Sequence, residues 1–367
     1  MPLIETTVAC PLHDSFRVQQ VAGMFDVPLA EKLRETFSVE VPALDEPWQI
    51  GLIVGPSGSG KTSIARAAFG EALYRSGAWP ADRAVIDCLG DAPIKQLTGL
   101  LTSVGFGSPP AWLRPYDVLS GGERFRCDLV RALRQGEQSG LLVFDEFTSV
   151  VDRTAARYGA AALAKALRGE SLNVRFVAVA CHYDIAEWLE PDWVTDMATG
   201  TCQRRRLRRP RLRLEVHRAG RAAWRMFSRH HYLTGSLAPG ARCFVASCDD
   251  QPIAFCATLA QVGHRHTWRI TRLVTLPDYQ GIGVGSRLME CVADIHLANK
   301  ERLLLTSSHP AMLAHCERSP RWRLNRVRKH GSRPQPVRKG WYRGSWGRAT
   351  ASFECLGRGE VGRVDSR

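Results

Sequence analysis

Apolar and polar positions alternate in a regular rhythm along the first half of this 367-residue chain. From residue 48 to residue 199, short apolar runs alternate with longer stretches in which apolar residues recur at helical spacing. The runs at 52–54, 84–86, 141–144 and 176–180 predict strands, and the stretches at 62–76, 122–135 and 155–168 predict helices. Strands that alternate with helices are typical of a parallel α/β sheet.

A second α/β pattern begins after an arginine-rich break at 203–211. It predicts helices at 219–228 and 285–298 and strands at 243–247, 253–259, 269–275 and 349–356. A chain of this length can bury two separate cores. The predicted organisation is an N-terminal segment at 1–45 with a strand or two, an α/β domain at 46–200, a basic linker at 201–211, a second α/β domain at 212–357 and a tail at 358–367.

A glycine-rich segment directly follows the apolar run Ile50–Val54. Its residues are Gly55, Pro56, Ser57, Gly58, Ser59, Gly60, Lys61 and Thr62, which match the pattern G-x-x-x-x-G-K-T. In such a loop the backbone N–H groups and the next helix N-terminus surround phosphates, the lysine supplies a charge and the threonine hydroxyl binds Mg²⁺. The segment therefore predicts binding of a nucleoside triphosphate with Mg²⁺.

Two acidic residues follow the predicted strand at 141–144. Asp145 is placed to hold Mg²⁺ together with Thr62, and Glu146 is placed to polarise an attacking water. A strand-end carboxylate that simply meets solvent is the alternative for Glu146. The pair predicts that the nucleotide is hydrolysed as well as bound.

The order of these motifs resembles the nucleotide-binding domain of the ABC ATPase family. Between the phosphate loop and Asp145 lie Ser120, Gly121 and Gly122, and after it come Asp152 and His182. The resemblance implies that Ser120-Gly121-Gly122 is the signature, which contacts the γ-phosphate bound by the opposite subunit of a homodimer that sandwiches two ATP molecules. It also implies that His182 is the switch histidine that senses the γ-phosphate. Gln96 lies in the interval expected for the family's glutamine loop, although its neighbours carry no strong pattern.

Only residues 63–118 separate the phosphate loop from the signature. This interval is too short for the long coiled coil of chromosome-maintenance ATPases, and it is compact for a transporter subunit. A transporter ATPase would also need membrane subunits from other chains. The ATPase subunit of an ABC transporter therefore stays open as an alternative.

A second glycine-rich turn follows the predicted strand at 269–275. Its residues are Gln280, Gly281, Ile282, Gly283, Val284 and Gly285. With its strand it resembles the pyrophosphate loop of the GNAT acyltransferases, over about residues 212–357. The resemblance implies that the loop amides hold the pyrophosphate of acetyl-CoA, and that Leu273, Val274 and Thr275 lie on a splayed strand whose amides contact the pantetheine arm. A dinucleotide fingerprint is the alternative, but the acidic residue that it needs about 20 positions on is absent, since Asp294 falls inside the predicted helix.

Acyl transfer to an amine needs a base for the nucleophile and an acid for the departing thiolate. The GNAT family has no fixed catalytic residue to carry over, so the candidates come from chemistry alone. His230, His231 and Tyr232 form a titratable cluster near the predicted substrate-side helix, and His309 follows the next strand. We expect Tyr232 and His309 to take part, although each histidine could equally be structural. The tyrosine that the family usually carries on the following helix is absent from 311–318.

The formal net charge of +14 comes entirely from the C-terminal part. Residues 1–200 carry 18 basic and 25 acidic residues, whereas residues 201–367 carry 32 basic and 11 acidic ones. Residues 318–348 interleave arginines with tryptophans, a composition that suits phosphate contact with base stacking. It predicts DNA or RNA as a partner; a packed pair of strands and a solvated tail are the alternatives.

The cysteines and the hydropathy pattern bear on where the protein acts. The 11 cysteines form no C-x-x-C pair and no zinc-type spacing with histidine, which favours reduced cysteines in a cytoplasmic protein. No run of about 18 apolar residues occurs, so we expect no membrane insertion and no export.

Our main hypothesis is a two-domain enzyme with an α/β fold: a P-loop ABC ATPase domain followed by a GNAT-like acyltransferase domain. It would use ATP, Mg²⁺ and acetyl-CoA, and would modify an amine, plausibly on nucleic acid. The alternatives are an ATP-switched nucleic-acid-binding module without acyl transfer, and the transporter subunit.

Overall fold

The computed structural model describes residues 1–10, 13–29, 34–169, 172–204, 209–231, 235–328 and 349–357. The chain divides into two compact units. The first contains Met1–Ala78 and Asp128–Pro210, and the second contains Trp79–Cys127 and Arg211–Arg367. Residues 79–127 lie within the predicted ATPase domain in sequence, yet they belong to the unit that contains the predicted acyltransferase.

The described strands are numbered in chain order. They are β1 (Leu3–Ala9), β2 (Arg34–Glu40), β3 (Ile50–Val54), β4 (Leu141–Phe144), β5 (Arg175–Ala180), β6 (Trp193–Asp196), β7 (Thr201–Arg204), β8 (Glu215–Ala219), β9 (Arg242–Cys248), β10 (Gln251–Ala260), β11 (Thr267–Thr275), β12 (Arg302–Ser307), β13 (Trp322–Arg328) and β14 (Thr350–Cys355).

The described α-helices are numbered in the same way. They are α1 (Phe16–Phe25), α2 (Lys61–Phe69), α3 (Ile94–Ser103), α4 (Pro109–Trp112), α5 (Gly121–Ser139), α6 (Arg153–Leu167), α7 (Ala186–Leu189), α8 (Trp224–Phe227), α9 (Val284–Ala298) and α10 (Pro310–Arg318). The boundary between the two units falls inside α5.

The first unit contains a five-stranded sheet in the order β4-β5-β3-β6-β7 and a separate two-stranded antiparallel sheet of β1 and β2. β4, β5, β3 and β6 pair in parallel, and β7 pairs antiparallel to β6 at the edge. All five residues of β3 are buried, as expected for a central parallel strand covered on both faces. The parallel α/β sheet predicted from the pattern is confirmed, and β7 extends it into the predicted basic linker.

The second unit contains a seven-stranded sheet in the order β13-β14-β12-β11-β10-β9-β8. β11 and β12 pair in parallel, and the other neighbours are antiparallel. α9 covers this sheet with Leu288, Met289 and Val292, all fully buried. The final strand predicted at 349–356 is β14, and Trp322 of β13 is 5% exposed in the same core.

Three predicted elements differ from the structure. The strand predicted at 84–86 is part of a 3₁₀ turn, Val85–Cys88, because a three-residue apolar run does not distinguish a strand from another buried segment. The helix predicted at 62–76 ends at Phe69, where Gly70 adopts a φ of 52° and stops it. A continuous helix was predicted at 219–228, but residue 219 is the last residue of β8. Only short helical turns follow after Gly220.

No helix among the described residues combines the length and the apolar character needed to span a bilayer.

Glu354 of β14 is the most strongly shifted carboxylate near the basic edge of the second unit's sheet. Hydrogen bonds from Arg302, Asn325 and Arg323 lower the pKa of Glu354 to about 2, Arg302 contributing most, although burial opposes ionisation. A lowered folded-state pKa stabilises the fold above the unfolded pKa, and that contribution is lost as pH falls towards 2.

We therefore expect Glu354→Gln to lower the free energy of unfolding of the second unit at pH 7 by about 1–2 kcal/mol, a value reduced for the solvent exposure of both arginines. The difference from wild type should shrink as the pH is lowered from 5 to 3. Urea denaturation at a series of pH values measures it, with the exposed Glu317→Gln as the matched control. A difference that is independent of pH would contradict the ion-pair explanation.

Candidate nucleotide and acyl-CoA sites

The phosphate-loop sequence lies at a strand-to-helix turn in the first unit. β3 ends at Val54 and α2 begins at Lys61. Gly58 and Gly60 have φ values of 81° and 78°, a region that residues with a Cβ rarely adopt. A Cβ on Gly60 would also lie 2.4 Å from the ring of Phe37, so this position requires glycine for two reasons.

Two hydrogen bonds organise the charged and hydroxyl groups of this loop. Lys61 is buried, and its Nζ donates to the carbonyl oxygen of Pro56 over 2.6 Å, which folds the side chain back over the loop. Thr62 Oγ1 donates to Asp145 Oδ2 over 2.8 Å, although the two residues are 83 positions apart. Two oxygen atoms of the kind that Mg²⁺ prefers therefore lie side by side next to the phosphate loop.

Glu146 lies next to Asp145 just beyond the end of β4. Its backbone has a φ of 51°, and its N–H donates to Asp145 Oδ1 over 2.9 Å. Its carboxylate accepts a hydrogen bond of 2.6 Å from Ser149 Oγ. This left-handed turn fixes the direction of the carboxylate relative to Asp145.

A pocket of about 370 Å³ brings these elements together. Its lining residues are Val8, Cys10, Glu35, Phe37, Ser57, Gly58, Gly60, Lys61, Thr62, Ser63 and Glu146. The residues on and next to β1 and β2 were missed by the sequence analysis, because only the folded two-stranded sheet brings them to the phosphate loop. Phe37 is the most informative of them, since an aromatic face beside a phosphate loop can stack on a base. The available signal was an aromatic residue in an alternating strand shortly before the loop.

The predicted switch histidine lies at the turn after β5. His182 is half-buried and precedes a 3₁₀ turn, Tyr183–Ile185. Asp184 in this turn binds Arg153 and Arg157 of α6, and although burial opposes ionisation, these hydrogen bonds hold its pKa below the usual value. Asp152 accepts hydrogen bonds from the first backbone N–H groups of α6 and so caps this helix. The role predicted for His182 stays a prediction.

The signature residues lie in the second unit, at the start of α5. Ser120 Oγ and N both donate to Glu123 Oε2 over 2.9 Å, and Glu123 N donates to Ser120 Oγ over 3.4 Å. This reciprocal pair is a capping box that begins the helix. Gln96 is exposed in the first turn of α3 in the same unit, and no described contact tests its predicted role.

The predicted pantetheine-binding strand is β11. It pairs with β10 along most of its length to Thr275, but its ladder with β12 covers only Thr267–Ile270. Beyond Ile270 the described ladder between the two parallel strands stops, which is the splay that the GNAT resemblance implies. Leu273 and Thr275 are half-buried here and Val274 is buried.

The predicted pyrophosphate loop follows β11. A 3₁₀ turn, Pro277–Tyr279, leads to Gly281 and Gly283, whose φ values are 84° and 99°. Gly283 is the N-cap of α9 and provides no side-chain cap. A Cβ on Gly285 would lie 2.9 Å from Thr275 Oγ1, so the helix start fits closely on the end of β11. Ile282 and Val284 complete the loop, with Val284 in the core.

The candidate acid and base residues are only partly described. Tyr232 lies outside the described residues. The pKa of His230 is lowered by burial and by the charge of Arg229, whose Nε donates to His230 Nε2 over 3.0 Å. Burial also lowers the pKa of His309, and its Nε2 donates to the carbonyl oxygen of Gly107 over 3.1 Å. The catalytic role of His309 stays a prediction.

The described part of the basic C-terminal region is a strand pair, as one of the open alternatives held. β13 pairs with β14, and Trp322 is buried in the core, so it is not placed to stack on a base. Arg326 and Arg328 of β13 are exposed. Residues 329–348, which contain the other tryptophans of the predicted nucleic-acid segment, lie outside the described residues.

Comparison with protein families agrees with the GNAT resemblance. The sequence profile of the acetyltransferase (GNAT) domain matches residues 239–317, which confirms the prediction of this domain. The chain therefore carries a GNAT acetyltransferase domain and, by its motifs and their geometry, an ABC-ATPase-like region. No curated protein sequence matches it.

The matching solved structures include members of both classes. The ribosomal-protein-S18-alanine N-acetyltransferase from Escherichia coli is 17% identical and covers 41% of this chain and 100% of its own, with a TM-score of 0.31. An acetyltransferase from Bacillus subtilis in complex with CoA is 12% identical, over 40% of this chain and 98% of its own, with a TM-score of 0.30. The ATP-binding cassette MJ0796, a dimer in a post-hydrolysis state with ADP and phosphate, is 13% identical, over 56% of this chain and 99% of its own, with a TM-score of 0.38. Such low scores add no argument about function, which rests on the residues themselves.

The conformation of Gly60 gives a direct test of the nucleotide pocket. We expect Gly60→Ala to weaken ATP binding about tenfold or more, because a left-handed non-glycine residue costs about 1–3 kcal/mol and the new methyl group meets Phe37. Titration with a fluorescent ATP analogue measures the change. Gly23→Ala is the matched control, since a Cβ there meets no atom within 4 Å. Equal affinity in both variants would argue against this pocket as the nucleotide site.

Proposed function

We propose that this chain binds and hydrolyses ATP and transfers an acyl group, most simply acetyl, from its CoA thioester to an amine. The observation that carries the ATPase half is the 2.8 Å hydrogen bond between Thr62 and Asp145 beside the phosphate loop. The acyltransferase half is supported by the GNAT profile match over 239–317 together with the glycine turn before α9.

In the ATPase half, the residues fit a bound Mg²⁺ and a triphosphate. Thr62 Oγ1 and Asp145 would hold the metal, which would supply charge neutralisation on the phosphate oxygens. Lys61 would leave the Pro56 carbonyl to bind phosphate, and the N–H groups at the start of α2 would surround the phosphates. Glu146 would orient and polarise the attacking water. Phe37 offers a face for the base.

In the acyltransferase half, the backbone N–H groups of the loop before α9 would bind the pyrophosphate of acetyl-CoA. Leu273, Val274 and Thr275 would present their backbone to the pantetheine arm, because β11 has separated from β12 at this point. The bound thioester supplies the activated acyl group. His230 would act as the base after its Nε2 is released from Arg229, and its lowered pKa favours the neutral imidazole that this role needs.

We further propose a cytoplasmic homodimer that sandwiches ATP through Ser120-Gly121-Gly122, with DNA or RNA carrying the acceptor amine. The polyanion is supported by the basic excess of residues 201–367 and by the exposed Arg326 and Arg328 on an edge strand. Phosphate contacts by such arginines give affinity that falls steeply with salt.

The first test is ATP hydrolysis with and without DNA or RNA. We expect the Glu146→Gln protein to bind ATP normally but to hydrolyse it about 100-fold or more slowly, because the group that polarises water has lost its charge. Colorimetric phosphate release measures turnover, and Glu187→Gln, an exposed carboxylate after His182, is the control.

Stimulation by a polymer that disappears in Glu146→Gln would support an ATP-driven nucleic-acid enzyme. Turnover that survives this substitution would argue against Glu146 as the residue that activates water. Absence of stimulation by any polymer would exclude nucleic acid as the acceptor and leave a small amine or a protein.

Acyl-CoA binding has its own test at Gly283. Gly283→Ala should weaken CoA binding about tenfold or more, because alanine disfavours the φ of 99° and reduces the fraction of loops that can bind. Isothermal titration calorimetry with CoA measures the affinity. Gly263→Ala is a matched control in the turn between β10 and β11, with a φ of 78° and no atom near its Cβ. If both variants bind CoA like wild type, the loop is not the pyrophosphate site.

A further inference from the structure

The predicted acyl-CoA loop is held by a segment that the sequence places among the ATPase motifs. We call residues 105–107, between α3 and α4, the clasp. Gly107 N donates to Gln280 Oε1 over 2.8 Å, and Gly107 O accepts from His309 Nε2 over 3.1 Å. Both polar groups of one clasp residue are therefore bound by side chains that flank the predicted CoA site.

The fit between clasp and loop is close enough to require glycine on the clasp. A Cβ on Gly105 would lie 2.8 Å from the backbone oxygen of Gln280, and one on Gly107 would lie 2.9 Å from its Oε1. The amide Nε2 of Gln280 in turn donates to Thr275 O over 3.0 Å. Gln280 thus connects the clasp to the end of β11, where the pantetheine arm is expected.

A buried arginine adds a second connection. Arg126 of α5 is 2% exposed, and it donates to Pro277 O over 3.2 Å and to Gly122 O over 3.1 Å. One guanidinium therefore binds both the turn that begins the acyl-CoA loop and the second glycine of the signature. Such a fork cannot be replaced by the single nitrogen of lysine.

The same helix is anchored near the nucleotide pocket by contacts within the first unit. Arg131 donates to Tyr74 Oη over 3.0 Å and to Gly77 O over 2.5 Å. Tyr74 stacks on Phe144 with ring centroids 5.3 Å apart, and its N–H donates to Val143 O over 2.7 Å. These β4 residues immediately precede Asp145. Each of these contacts lies within one unit, and helix α5 continues across the boundary between residues 127 and 128.

We propose that Gly107 and Arg126 are positioning residues of the acyl-CoA loop, so that CoA affinity depends on the nucleotide bound at the phosphate loop. This inference rests on the proposed function. If a bound nucleotide shifts α5, Arg126 carries that shift to the Pro277 turn before the acyl-CoA loop, and the two binding free energies are then coupled reciprocally. Sequence proximity to the ATPase motifs gives no such coupling by itself, so it must be measured.

The experiment is calorimetric titration of CoA into the full-length protein, with and without Mg²⁺ and a non-hydrolysable ATP analogue. We expect the analogue to change the CoA dissociation constant about fivefold or more in wild type. In Gly107→Ala this change should disappear, because the new methyl group displaces the Gln280 amide. Arg126→Lys is the second variant, and it should reduce the change as well.

Two controls separate positioning from general damage. The first control is Gly99→Ala, because Gly99 lies in α3, just before the clasp, and a Cβ there would meet no atom within 4 Å. This variant should behave like wild type. Titration of the ATP analogue alone is the second control, and every variant should bind it like wild type, because neither Gly107 nor Arg126 lines the pocket at the phosphate loop.

The outcomes are distinguishable. An unchanged CoA affinity with the analogue in wild type overturns the inference while CoA and ATP binding still support the proposed function. A change that persists in Gly107→Ala and Arg126→Lys also overturns it, because the clasp is then not the route. Failure of wild type to bind CoA at all removes the proposed acyltransferase function, and the inference with it.

Discussion

Two helices of this protein begin on a left-handed glycine without a side-chain cap, and both predicted ligand sites depend on that constraint. Gly60 before α2 and Gly283 before α9 have φ values of 78° and 99°. At α1, α5 and α6, by contrast, a side chain accepts from the first N–H groups, as Asp152 does for α6. Where glycine stands instead, the helix leaves its N–H groups available to an anion, and the chain can approach that anion closely. The same local structure thus appears in both units, once at the predicted triphosphate site and once at the predicted pyrophosphate site.

The sequence predicted these local features well because each is contained in a few consecutive residues. The phosphate loop, the acidic pair after β4 and the glycine turn before α9 are all written as short motifs. Phe37 and Gly107 were missed because neither belongs to a motif. Phe37 lines the pocket because β2 pairs with β1 beside the phosphate loop. Gly107 contacts Gln280, which lies 173 positions further along the chain. Short-range patterns carry no information about such pairs. The three-residue apolar run at 84–86 was also too short to distinguish a strand from a buried turn.

Net charge did not show which basic residues are available to a partner, because several arginines of the second unit bind carboxylates. Arg302 and Arg323 bind Glu354, Arg242 binds Glu301, and Arg321 binds Asp294. These ion pairs largely cancel in the net charge, so most of the basic excess of residues 201–367 comes from other residues. The same ion pairs stabilise the folded sheet of the second unit at its basic edge. Exposed arginines among the described residues include Arg326 and Arg328 on β13 and also Arg225, Arg265 and Arg269, so β13 is one of several basic surfaces of the second unit.

The division of the chain into two units follows the contacts between residues rather than the order of the sequence motifs. The two proposed activities therefore do not correspond to two continuous stretches of sequence. Residues 79–127 interrupt the ATPase motifs in sequence, but α3 packs on α10, and Leu97, Leu100 and Leu101 are buried on that helix. A fragment that began at the basic linker would keep the GNAT profile region and lose these partners. It would expose their apolar contacts and free Gln280 and His309 from Gly107. The predicted acyl-CoA loop is therefore in contact with a distant part of the sequence, and that part, Gly107, lies in the segment that carries the predicted signature.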